Sequence, residues 1–203
     1  EVMGEFPSAD DDTVIPLDLV RGAVERDVTL TANEPIVWGL DVARFGGDNS
    51  ALCVRQGNTV LEITSFASMD LMQLCGVVKN RFDDATVMER PQEILVDVIG
   101  LGAGVVDRLR EQNLPVRGVN VAEAPSTKKN YLNLRAELWF AIKDWLAQRD
   151  CRLPNDDELV SELAAPLYKY TSTGKIKIES KDEMRKRGIK SPDKADALAL
   201  TMA

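Results

Sequence analysis

The feature that most constrains this chain is a set of three closely spaced strand-like segments, residues 36–43, 50–56 and 59–66, the first of which delivers a carboxylate. Ile36-Val37-Trp38-Gly39-Leu40 is an apolar run and Asp41 follows it directly. A turn containing Gly46, Gly47 and Asp48 leads into a second apolar run, Ala51-Leu52-Cys53-Val54. Short apolar runs bounded by glycine-containing turns read as strands. The Gly57-Asn58 pair between the second and third segments is a tight hairpin signal. The rest of the chain has to pack around this strand, turn, strand, hairpin unit.

Downstream, Leu71, Met72, Cys75, Val78 and Phe82 recur at helical spacing within residues 69–82. Ile94-Leu95-Val96-Asp97-Val98, within residues 92–98, is a further apolar strand that reaches an acid. Gly100-Leu101-Gly102-Ala103-Gly104 then precedes a helix over 105–112. These glycines do not make the dinucleotide fingerprint, because Val105 stands where its third glycine is needed. They read as the turn that lets a helix start hard against the sheet. A strand follows over 115–121. A long amphipathic helix covers 131–149, with Leu134, Leu138, Ile142, Trp145 and Leu146 on one face. A helix is expected over 156–165, a hairpin from 168–171 and 175–179 around Ser172-Thr173-Gly174, and a helix over 192–203. Residues 16–26 carry a short helix. This order predicts a mixed α/β sheet with helices on its faces.

The chain has 203 residues and is 44% hydrophobic, enough for one domain with a proper core. No run reaches the roughly 18 apolar residues of a membrane span, and no basic-then-apolar leader starts the chain. Cys53, Cys75 and Cys151 are widely spaced, form no zinc pattern and favour a reducing compartment. There is no histidine, which excludes Ser-His-Asp triads, Cys-His pairs and histidine-ligated zinc. Hydrolytic chemistry here has to use carboxylates, lysines, tyrosines or metals. The net charge of −8 argues against nucleic acid, but residues 169–194 hold nine Lys/Arg against four Asp/Glu, a basic stripe on an acidic body. Residues 1–12 hold five acids and no base and read as an irregular connector. The chain opens on Glu1 and stops at Ala203 inside a helical pattern, so a piece of a longer protein is expected.

Asp41, Asp97 and Asp196 have a physical logic together. If the strands that carry Asp41 and Asp97 lie side by side, their acids become neighbours, and a helix packed across that end adds Asp196. Three such carboxylates repel one another unless a cation joins them. With two divalent ions roughly 3.5–4 Å apart they form a site for in-line phosphodiester hydrolysis. Oxygen ligands without histidine or thiolate favour magnesium or manganese. Taken singly, each acid is as readily a cap or turn former, and Asp193 as readily serves the helix dipole.

The sequence resembles the nuclease domain of the phage large terminase subunit, the DNA-packaging motor protein. The resemblance is carried by Gly4-Glu5-Phe6-Pro7 with the acidic connector, Gly39-Leu40-Asp41-Val42-Ala43 with Gly47-Asp48, Ile94-Leu95-Val96-Asp97, Asn133-Leu134-Arg135-Ala136-Glu137, residues 181–187, and Ser191-Pro192-Asp193 through Ala197-Leu198. It implies a ribonuclease-H-like α/β fold over residues 31–203, with 1–30 a linker and short helix from a missing ATPase domain. It also implies metal-dependent endonuclease activity on concatemeric viral double-stranded DNA. Carried over by position, Asp41, Asp97 and Asp196 are the catalytic metal ligands for two Mg2+ or Mn2+ ions. Asp48 and Asp193 are alternate or supporting ligands, and Lys181, Arg185, Lys186, Arg187, Lys190 and Lys194 are DNA contacts. The implied partners are the ATPase domain, the small terminase subunit and the portal, with no membrane. The implied location is the host cytoplasm, outside the mature virion. The chain has no Walker A pattern, since Gly174-Lys175 is followed by Ile176, so no ATP hydrolysis is expected of it. Two alternatives stay open: another ribonuclease-H-like nuclease of resolvase or transposase type, and a non-catalytic DNA-binding module.

Overall fold

The computed structural model describes residues 12–43, 48–127 and 129–203. The proposed connector therefore lies outside the described residues save for Asp12, as does the Gly46-Gly47 part of the first turn. The elements run α1 (Leu17–Glu25), β1 (Ile36–Asp41), β2 (Ser50–Gln56), β3 (Thr59–Phe66), α2 (Leu71–Asp84), β4 (Glu93–Asp97), α3 (Gly102–Glu111), β5 (Val116–Val119), α4 (Leu134–Ala147), α5 (Asp157–Ala164), β6 (Tyr168–Tyr170), β7 (Ile176–Ile178), α6 (Lys181–Lys186) and α7 (Asp193–Leu200).

Five strands form one sheet in the order β3-β2-β1-β4-β5. β1 pairs antiparallel with β2, and β2 with β3, while β1–β4 and β4–β5 are parallel. This is the expected mixed sheet of an α/β fold. Side chains alternate across it. Trp38, Leu40, Leu52, Ile94 and Val96 pack with α2 and α3 on one face, whereas Ala51, Cys53 and Leu95 pack with α1, α4, α5 and α7 on the other. By the same parity Asp41 and Asp97 project to the α4/α7 face.

Two close approaches set the geometry of the site end. A Cβ on Gly39 would stand 2.0 Å from the carbonyl oxygen of Ala197, so α7 lies directly on β1 because residue 39 has no side chain. A Cβ on Gly102 would stand 1.6 Å from the carbonyl oxygen of Asp97. The glycine turn thus lets α3 start hard against the end of β4, and the helix begins at Gly102 rather than at Val105.

Three local features add to the sequence expectation. α1 and the residues before it pack into the main core, with Val14, Ile15, Val20 and Ala23 fully buried and the Leu153 amide donating to the Ala23 carbonyl at 3.0 Å. α1 thus shares the core that lies under the sheet. α4 starts at Leu134 because the Asn133 side chain caps it, accepting from the Ala136 amide. Its buried surface also wraps beyond one face to include Trp139 and Glu137, since α7 and the loop at Ser126 and Thr127 cover it as well as the sheet. Finally, residues 181–186 form a helix within the basic stripe. Ser180 and Glu183 make a reciprocal capping box there, a signal present in the sequence as Ser180-Lys181-Asp182-Glu183.

Candidate functional site

β1 and β4 are parallel with Leu40 opposite Val96, so Asp41 and Asp97 follow side by side at the ends of adjacent strands. Both line a cleft of about 320 Å³ together with Asp48, Arg135, Lys181, Arg185 and Asp196. α7 supplies Asp193 and Asp196 from its first turn, where the helix dipole favours negative charge. The Asp97 carboxylate accepts the Ile99 amide at 3.0 Å, which fixes the turn after β4.

The centre of the cluster is a cation. Nζ of Lys181 lies 3.0 Å from Asp41 Oδ2, 3.4 Å from Asp193 Oδ1 and 3.3 Å from Asp196 Oδ2. Asp196 is further held at Oδ1, which accepts from Trp139 Nε1 at 2.9 Å and from Arg135 Nη2 at 3.2 Å. Its Oδ2 is buried with no hydrogen-bond donor by geometry, and the Lys181 ammonium stands 3.3 Å from it as an ion pair. Asp193 is held at both oxygens, by the Ser191 hydroxyl at 2.6 Å and by the Asn49 amide at 3.0 Å.

The charges do not balance. Burial, with Asp196 and Asp193 nearby, pushes the Asp41 carboxyl up to about 7 in spite of Lys181. Burial likewise raises Asp193. Burial opposes the charge on Asp196 too, but Arg135 and Lys181 outweigh it and hold that carboxyl below the ordinary range. Burial works against the Lys181 ammonium, which the three carboxylates nevertheless keep firmly protonated. Among the described residues no three acids stand as a ready-made metal cage; Asp41, Asp193 and Asp196 close on the lysine instead. The donor set still fits a hard divalent ion. It is all oxygen, it carries an excess of buried negative charge, and one buried oxygen of Asp196 lacks a donor. Asp41, Asp97 and Asp196 line the same cleft as this donor set.

The basic residues divide. Lys181 points into the acid cluster. Arg185 pairs with Asp48 at 2.5 Å and with Asp182 at 2.6 Å. Arg187 is held bidentately by Glu179, at 2.8 and 2.9 Å, and by the Ala165 carbonyl. Lys194 is only 8% exposed and joins α7 to the start of α5 through Asp156 at 2.8 Å and Glu158 at 2.9 Å. Arg187 is thus tied to β7 and α5 while staying exposed, and Lys194 braces α7 against α5. Lys186 and Lys190 are exposed and carry no ion pair among the described residues. Two residues were given no site role by the sequence reading: Arg135, quoted there only within a motif, and Trp139, which falls off the predicted apolar stripe. Their spacing of four places them on one face of α4, the signal that links them.

Comparison of the whole chain places this geometry among known folds. It superposes on the nuclease domain of the large terminase subunit gp2 of bacterial virus Sf6 with a TM-score of 0.75 and 20% identity, covering 94% of this chain and 98% of that one. The fold is that of a phage large terminase nuclease domain. The large terminase nuclease of thermophilic phage G20c, solved with bound magnesium, matches with a TM-score of 0.66 and 15% identity over 97% of this chain and 98% of that one. A Thermus phage terminase nuclease domain matches at 0.65 and 12% identity over 91% and 92%. The Sf6 domain has also been solved with manganese, in a variant with one lysine replaced by alanine. No family model matches the sequence, and no curated protein does.

Proposed function

We propose that this chain is the metal-dependent endonuclease domain of a phage packaging motor, cutting concatemeric viral double-stranded DNA. The observation that carries the reading is the meeting of Asp41 and Asp97, on adjacent strand ends, with Asp196 of α7 at one cleft. Asp41, Asp97 and Asp196 would hold two divalent ions, Mg2+ or Mn2+, which would supply an activated water and charge stabilisation at the leaving 3′ oxygen. The chain's own part is to hold the carboxylates fixed and to seat the duplex. Asp193, with both oxygens held by Ser191 and Asn49, orders the junction between the first turn and α7 rather than leading the ligand set. Lys186 and Lys190 are the exposed cations on offer to backbone phosphates, which position DNA without reading its sequence. In the full-length protein the partners are the ATPase domain, the small terminase subunit and the portal. The place of action is the host cytoplasm, not the finished virion, and these 203 residues do not hydrolyse ATP.

The test is nicking of supercoiled plasmid DNA in Mg2+ or Mn2+ and in EDTA. Asp41→Asn and Asp97→Asn are each expected to abolish nicking while the far-UV spectrum and cooperative unfolding are kept. Full activity in either variant overturns the assignment. DNA binding without cleavage at any metal concentration favours the non-catalytic binding module instead.

A further inference from the structure

We infer that Arg135 and Trp139 are positioning residues that lock the Asp196 carboxylate, holding one oxygen so that the other faces the cation site. The inference rests on the reading of Asp196 as a cation ligand. A carboxylate at the start of α7 is free to turn about its last bond and to offer either oxygen to the cleft. Here both donors act on Oδ1, the Trp139 indole at 2.9 Å and the Arg135 guanidinium at 3.2 Å. Oδ2 is left buried without a hydrogen-bond donor and nearest to the Lys181 ammonium, at 3.3 Å.

The clamp is itself rigid. Trp139 is fully buried, so its indole cannot turn without repacking the core. Arg135 is anchored a second time, Nη1 donating to the Glu179 carbonyl at 2.8 Å, and its guanidinium lies 5.8 Å from the Trp139 ring centre. The two residues are four apart on α4 and so act from one face. Two independent contacts thus place this ligand. Gly39 sets how closely the α7 backbone approaches β1, and α4 sets which oxygen of Asp196 points inward. A buried indole N–H needs an acceptor, and a backbone carbonyl would have served if core packing were the whole of its role. The acceptor it takes is instead a cleft carboxylate shared with a guanidinium.

The test measures Mn2+ affinity by electron paramagnetic resonance or calorimetry on the whole chain, with unfolding temperatures in EDTA alongside. Trp139→Phe removes the donor and keeps most of the ring volume, and Arg135→Gln removes the cationic donor from the cleft wall. Each is expected to weaken Mn2+ binding about tenfold, as loss of groups that orient a ligand does elsewhere. The Mn2+ concentration for half-maximal nicking rises by the same factor, while the rate at saturating Mn2+ falls less. Arg135→Lys is expected to recover part of the loss, since it keeps a donor but not the two-point anchor. Wild-type affinity in both variants overturns the inference, even where unfolding temperatures drop, because a purely structural role lowers stability and leaves affinity alone. Should Trp139→Phe fail to fold, Arg135→Gln decides by the same criterion. A wild-type chain that binds no Mn2+ sinks the cation-site reading as a whole, whereas a binding wild type with unaltered variants sinks only the clamp.

Discussion

Replacing Gly39 by alanine tests whether helix-to-strand contact builds the site. The added methyl carbon would stand 2.0 Å from the Ala197 carbonyl oxygen and 3.0 Å from Cγ2 of Thr201. The first obstacle is backbone of α7, which cannot rotate aside as a side chain can. To restore contact at 3.4 Å, α7 has to retreat from β1 by about 1.4 Å, an overpacking that costs roughly 1–3 kcal/mol. Loss of glycine freedom in the unfolded chain offsets about 0.4–1 kcal/mol of this. A net loss of about 1–2 kcal/mol lowers the unfolding temperature by roughly 2–8 °C in a domain of this size. The effect on cleavage is larger, because the retreating helix carries Asp196, and a misplacement of about 1 Å at a reacting centre costs on the order of 10²-fold. Gly76→Ala is the control. It lies within α2 with nothing inside 4 Å of the added carbon, and alanine there favours the helix, so its unfolding temperature rises. Thermal unfolding in EDTA and plasmid nicking in Mn2+ read both effects. A Gly39→Ala chain as stable and as active as the wild type would show that α7 does not depend on that contact.

Lys181→Ala removes the ammonium shared by Asp41, Asp193 and Asp196; allowing for a lysine side chain one-third exposed, stability in EDTA falls by about 2 kcal/mol. Mn2+ should then raise the unfolding temperature more in this variant than in the wild type, and an equal rise counts against the lysine as the cation's competitor. Glu162, pushed up to about 8 by burial and by Asp193, Glu158 and Asp196, holds a proton in the folded chain that the unfolded chain releases, so its share of stability falls as pH rises from about 4.5 to 8. Glu162→Gln removes that dependence, and its gain in unfolding temperature should be near zero at pH 4.5 and largest above pH 8; a gain that does not change with pH rejects the shift. The double change Lys186→Ala and Lys190→Ala should reduce the salt slope of duplex binding by about 1.8, as expected for two lost phosphate contacts, whereas Arg187→Ala should lower the unfolding temperature and leave the slope alone. The reverse pattern, in a filter-binding series over salt concentration, would assign the phosphate contact to Arg187 instead.

Most of the fold was legible because apolar periodicity and turn residues are local properties. The strands that carry Asp41 and Asp97, the Gly57-Asn58 hairpin and the helix that carries Asp196 all lie close to their expected places. The absence of histidine and the sequence order of the acids pointed to oxygen-ligand chemistry without any structure. The Ser180–Glu183 capping box was equally local and equally readable, but the charge of that stretch masked it.

What the sequence determined by itself is therefore the alternation of strands and helices and which carboxylates reach strand or helix ends, since both depend on neighbours a few residues away. What only the tertiary structure decided is the pairing of charges over long separations. Lys181, 140 positions from Asp41, closes on that acid instead of facing outward. Lys194, 38 positions from Asp156, braces α5. Arg135 and Trp139 take hold of Asp196 from 61 and 57 positions away. A cation in a sequence carries no mark of the acid it will meet. That choice falls to the packing of α4, α6 and α7 on the sheet, where burial makes an unpaired charge costly and leaves each ion the partner within reach.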